Sequence, residues 1–271
     1  MNSITSTSRS NSVGIVQRYQ RCVGLSLILM LSCASQTEAL VDISLITEVL
    51  KGDTPLVGAA SQMAGHVTKK VLPELIGNDD QFAKRLGFTD SNDFLPAMGH
   101  SVALEIPYPV FVVDLNQLQN WNGLLPSHAG IDLIAQEINW LFDPNHDVHP
   151  VPAQYLYPIL VDKQVASSVL LALDRTESSQ WNAPQIGSPR LITQIYELKR
   201  PGKSTFLVRV PALNRYYLGV IREHAFTITA IFDDPGTGMH RGDTVPALSV
   251  FKNLAVEADK IKMDDPNNPP R

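Results

Sequence analysis

The segment Asp143-Pro144-Asn145-His146-Asp147-Val148-His149 gathers imidazole and carboxylate side chains within a few residues. That donor set suits zinc and similar divalent ions, and a polar loop could wrap it around one. His146, Asp147 and His149 are the candidate metal ligands. A metal site draws a further ligand from a distant element, and His100, His128, His224 and His240 qualify by type. Nothing in their spacing selects one of them. The spacing also matches no standard zinc pattern. The simpler reading is two exposed histidines on a polar loop, with Pro150 interrupting the backbone.

Two other patterns invite chemistry. Gly99-His100-Ser101-Val102-Ala103 looks at first like a nucleophile elbow with its last glycine replaced by alanine. An elbow needs a strand before the serine and a helix after it, because that strained turn exposes the hydroxyl. Pro96 lies upstream, and Pro107 and Pro109 follow closely, so a helix after Ser101 is not expected. The segment reads instead as a loop entering a strand. Asp233 to Asp243 combines acids and glycines and contains Arg241-Gly242-Asp243. Phosphate cradling would need a lysine that the loop lacks. Calcium through Asp233, Asp234 and Asp243 is conceivable, but the spacing is not that of an EF-hand. A mobile turn is the expectation there, and the Arg-Gly-Asp tripeptide by itself carries no weight.

The aromatic residues read as core. Trp121, Trp140 and Trp181 are the three tryptophans, and large aromatics mostly serve to bury area. Trp140 falls off the main apolar stripe of its run and is the one that could line a groove. Tyr155-Tyr157 and Tyr216-Tyr217 read as strand residues rather than a binding surface. No pair of acids stands out as a general acid and base.

Composition narrows the classes further. Of 271 residues, 44% are hydrophobic and 18% charged, an ordinary globular balance, and the formal charge is −5. Residues 1–33 hold Arg9, Arg18 and Arg21 and no acid, which leaves 19 basic against 27 acidic residues downstream. A net-acidic body without a basic run disfavours nucleic acid as a partner. Both cysteines, Cys22 and Cys33, precede Ala34. The body therefore has no disulfide, no thiolate nucleophile and no cysteine-ligated metal.

The N-terminus reads as an export leader, residues 1–39. Val23 to Leu31 is apolar, of signal-peptide length and too short to span a bilayer. Cleavage after Ala34 or Ala39 would suit a signal peptidase. Alternatively, Met30-Leu31-Ser32-Cys33 is a loose lipoprotein box that would lipidate Cys33 and tether the protein to a membrane. A serine- and arginine-rich organelle-targeting segment is the competing reading.

The elements that must position any site follow from periodicity and caps. Residues 41–52 place Ile43, Ile46 and Leu50 at helical spacing. Thr54-Pro55 opens a second helix with Leu56, Ala60, Met63, Val67 and Val71 on one stripe, disturbed by Pro73 and ended by Gly77. Asn78 to Leu86 is a short acid-capped helix. Val110 to Val113 reads as a buried strand, and the spacing from Ile131 to Phe142 predicts an amphipathic helix. The apolar runs on either side of Asp162-Lys163-Gln164 predict a β-hairpin. Ser188-Pro189 opens a helix burying Leu191, Ile192, Ile195 and Leu198. Three closely spaced strands between Thr205 and Phe232 predict an antiparallel meander, and a last helix carries Leu248, Phe251, Leu254, Ala258 and Ile261.

This order reads as an α+β fold: a helical N-terminal third, then an antiparallel hairpin and meander sheet with packed helices. The expected organisation is a leader (1–39), a helical segment (40–100), an α+β domain (101–263) and a disordered tail (264–271). The functional expectation is an exported, periplasmic or extracellular, non-enzymatic protein that binds a protein or small-molecule partner, without a cofactor. It would use the sheet face or the groove beside the helices. The alternative is an exported metal-dependent hydrolase centred on His146, Asp147 and His149.

Overall fold

In the hairpin, Gln154–Val161 (β5) and Gln164–Leu173 (β6) pair antiparallel around Asp162 and Lys163. Both turn residues adopt left-handed backbone, at φ 48° and 69°. That is the tight-turn geometry whose twist matches the flanking strands. Asp162 is held from outside as well: its N–H donates to the Ser101 carbonyl at 2.9 Å, and its Oδ1 accepts from the Ser101 N–H at 2.8 Å. The computed structural model describes residues 46–51, 54–77, 79–92, 101–120, 131–135, 137–142, 148–174, 180–199, 201–202, 204–222 and 225–261. The expected leader (1–39) and the expected tail (264–271) lie outside them, and the described residues belong to one unit, Asp42–Arg271.

The hairpin belongs to a nine-stranded mixed sheet. Val102–Leu104 (β1) and Tyr108–Val112 (β2) run end to end along the same edge of β5, and Glu105 bridges them by donating its N–H to Pro158 at 3.1 Å. Trp181–Ile186 (β7) closes the far side of β6. The strands Thr205–Val210 (β8), Arg215–Arg222 (β9) and Ala225–Ala230 (β10) form the expected meander. Thr244–Pro246 (β11) extends it. The two halves are joined by a parallel pair, β2 with β8, in which Val110 lies opposite Leu207. Chain fold class is thus α+β.

One expected helix resolves differently. Ile131–Ala135 (α6) is helical, but Ile138–Phe142 (β3) is a strand paired with Val148–Pro152 (β4). Ile-Asn-Trp-Leu-Phe is rich in β-branched and aromatic residues, and a short apolar run supports either period. Pairing with a second strand decides the outcome. β4 carries Pro150 and Pro152, which suits a pair that stands apart from the main sheet.

Helices cover the sheet unequally. Residues 46–51 (α1), Leu115–Asn120 (α5), α6 and Ala247–Ala258 (α8) share a core with Phe111, Phe206, Val208, Tyr217 and Phe226. Burying each such side chain contributes about 1.5–3 kcal/mol. Pro55–His66 (α2), Leu72–Ile76 (α3) and Asp80–Arg85 (α4) pack on Tyr155, Tyr157, Ile159, Leu171 and Trp181. Alternation along the strands puts both cores on one face. Among the described residues Pro189–Leu198 (α7) alone covers the other, burying Ile192 and Ile195 over Leu156, Leu170, Leu207 and Leu218. Among the described residues no helix is long and apolar enough to cross a membrane.

Candidate functional site

The helical wall begins as its caps predict. Thr54 Oγ1 accepts from Val57 N–H at 3.3 Å, Pro55 takes the first helical position, and Gly77 ends the run at φ 48°. Between them, Val67–Val71 is a π-helical turn, with Leu72 N–H donating to Val67 O. Pro73 follows directly. It has no N–H for the Lys69 carbonyl, and its ring crowds that carbonyl, so the helix widens just ahead of it. The extra residue moves the buried stripe. Ala60 and Val67 are buried as the spacing implies, but the next core positions are Leu72 and Ile76 rather than Val71.

That widened wall leaves space against the sheet. Gly65, Thr68, Lys69 and Pro73 face Val102, Ala103 and Leu104 of β1 across a cavity of about 570 Å³. Its lining is largely apolar, and its volume lies within the range that holds a small molecule. A Cβ placed on Gly65 would meet no atom within 4 Å. The wall itself is tied to the sheet beneath. Trp181 Nε1–H donates to Leu56 O at 3.0 Å, and Ser61 Oγ and the Tyr157 hydroxyl share a bond of 3.1 Å. Burial pushes the Tyr157 hydroxyl above its usual range, and the bond to Ser61 offsets part of that rise.

A second polar constellation lies on the meander. Asp234, at 3% exposure, accepts from the Tyr217 hydroxyl and sits 2.7 Å from Arg215 Nε. The Nε–H does not point well at Oδ1, so this contact is ionic rather than an aligned hydrogen bond. Asp234 Oδ1 also accepts from the N–H groups of Gly236 and Thr237 at 3.1 and 3.4 Å. Burial would raise this carboxyl, but the bonds from Tyr217 and Thr237 and the Arg215 charge together hold it below the ordinary carboxylate range. The Asp233–Asp243 loop, expected to be a mobile turn, is therefore clamped. Asp234 and Met239 close it as a β-bridge, Arg215 reaches Glu257 of α8 at 3.4 Å, and Arg241 pairs with Glu197 of α7 at 2.6 Å. This arrangement holds a loop, and the carboxylate itself is buried within it.

The residues singled out from sequence fall as follows. His146 and Asp147 lie outside the described residues. His149 belongs to β4, opposite Leu141, rather than to a loop, and only its backbone is described. Among the described residues no group of three His, Cys, Asp or Glu side chains comes together. His100, His128 and His224 are also outside, and His240 is exposed, 3.7 Å from Asp233. Ser101 enters a strand, not a helix, so the elbow pattern has no elbow. Trp181, Tyr155, Tyr157 and Tyr217 are core; Trp121 and the Trp140 side chain are outside the description. Pro73 is legible in the sequence as a disturbance of this helix, but the cavity is not, since its other wall comes from β1.

The chain matches no family model, no curated protein and no solved structure.

Proposed function

We propose that the protein is an exported, non-enzymatic binding protein whose ligand site is the cavity between the α2–α3 run and β1. The observation that carries this reading is the preformed apolar cavity walled by a π-helical turn, a feature frequent at functional sites. Its lining selects a small, largely apolar ligand, with Lys69 at the wall for a polar tip. The leader supports export, and Cys33 supplies the means of a lipid tether.

Binding of the neutral fluorescent amine N-phenyl-1-naphthylamine tests the site. Wild-type protein is expected to enhance its emission, and Gly65→Leu, which fills the cavity from a position with free space, to abolish the effect while the thermal midpoint stays unchanged or rises. Enhancement that survives Gly65→Leu, or none in the wild type, overturns the assignment. Mass spectrometry of the mature N-terminus tests export: a start between Cys33 and Leu40 is expected, with a diacylglyceryl mass on Cys33 if the protein is tethered. An intact Met1 sinks it. Stoichiometric zinc lost on changing His146 and His149 would favour the hydrolase instead.

A further inference from the structure

Because α7 is the only described helix on its face of the sheet, the surface of β9, β10 and β11 beside it is left as a groove of about 640 Å³. Its floor is Leu218 and Val220, and Thr227 and Thr229 stand along one side. The registers place these in rows: Arg222 opposite Ala225, Val220 opposite Thr227, and Leu218 opposite Thr229, which in turn faces Thr244. From Arg222 to Leu218 the groove runs about 13 Å along the strand.

Charge is confined to one end. Lys199, just past the C-terminus of α7, and Arg222, at the end of β9, both line the groove. Other arginines of the meander are engaged: Arg215 by Asp234 and Glu257, Arg241 by Glu197, and Arg209 over the ring of Tyr216. Among the described residues neither Lys199 nor Arg222 has a carboxylate within ion-pairing distance. Burial, and then the Arg222 charge, lower the Lys199 ammonium below its usual range. Two like charges sharing a groove are mutually unfavourable until an anion joins them. Thr227 Oγ1 already donates to Val220 O at 3.4 Å, and the Thr229 and Thr244 hydroxyls pair at 2.7 Å, so the threonines offer the rest of the groove few unspent donors. The remainder of the groove is thus suited to an apolar body rather than to a second charge.

We infer that this groove is a second binding site, for a small amphipathic monoanion whose anionic head sits between Lys199 and Arg222 and whose apolar body lies along Val220 and Leu218. The site is separate from the α2–β1 cavity and does not depend on it.

Calorimetric titration of the full-length protein with octanoate tests the inference, with octan-1-ol as the neutral counterpart. Octanoate is expected to bind, and Arg222→Gln and Lys199→Gln each to weaken it about tenfold or more, the effect of losing a charge-assisted contact. Arg222→Lys should retain most of the affinity, added salt should reduce it, and Gly65→Leu should leave it unchanged. Arg222 is exposed, so circular dichroism of Arg222→Gln is expected to match the wild type. Octanoate binding that is absent at millimolar concentration, that ignores both charge substitutions, or that octan-1-ol reproduces would overturn the site. Octanoate binding lost only in Gly65→Leu would also overturn it, by moving the anion to the other cavity.

Discussion

Gly236, in the loop after β10, and Gly65, in α2, are the same residue type in opposite surroundings. A Cβ on Gly236 would lie 2.3 Å from Glu257 Oε2 and 3.1 Å from Arg215 Nη2, whereas one on Gly65 would meet nothing within 4 Å. Around Gly236, buried polar groups are drawn together: Asp234 gathers Arg215, Tyr217 and two backbone N–H groups. Around Gly65, a π-helical turn forced by Pro73 holds the wall away from β1. The first region is drawn together because a buried carboxylate is unfavourable until every lone pair has a partner. The second is hollow because small apolar residues impose no such demand. A rich set of polar residues therefore marks a structural joint in this protein, whereas the cavity beside Gly65 has a largely apolar lining.

Three measurements would break or sharpen that contrast, beginning with the largest effect. Asp234→Ala should lower stability by about 3 kcal/mol, because it leaves the Arg215 cation and the Tyr217 hydroxyl without their partner. Urea denaturation measures this; a loss under about 1 kcal/mol would mean that the joint is ornamental.

Next comes acid. The Asp234 carboxyl is held below its unfolded value, so its contribution is complete above about pH 4 and fades as pH falls through the folded value. The stability gap between wild type and Asp234→Asn should therefore close on acidification below about pH 4. Asp80, kept low by its hydrogen bonds from Ser91, titrates equally in both proteins and cancels from the difference. A gap that stays constant from neutral pH into acid would contradict the clamp.

The smallest effect is the glycine pair itself. Gly236→Ala should destabilise by up to about 1 kcal/mol by pushing Glu257 off Arg215. Gly65→Ala should stabilise by about 0.5–1 kcal/mol, since alanine is the better helix former and the site has room. Thermal unfolding of the two variants side by side reads the sign. Equal shifts in one direction would remove the contrast between the regions.

Local patterns made much of the fold legible. Thr54-Pro55 and Ser188-Pro189 mark helix starts at the positions found, the turn at Asp162-Lys163 divides the two strands of the hairpin, and Leu191, Ile192, Ile195 and Leu198 face the sheet. Misreadings arose where pairing with another segment decided. Ile138 to Phe142 satisfies the helical period but takes a strand because Val148–Pro152 pairs with it. The Asp233–Asp243 loop looks loose in sequence and is clamped by Arg215, Tyr217 and Glu257, residues from two other elements.

By itself the sequence determined most of the element types and the thiol-free body, because caps, turns and hydrophobic periods act over a few neighbouring residues. Tertiary structure alone decided the parallel joining of Val110 to Leu207, the burial of Asp234, the cavity against β1 and the groove beside α7. Each of these brings together segments far apart in the chain. No local preference encodes such a meeting; it follows from which faces remain to be covered once the sheet has formed.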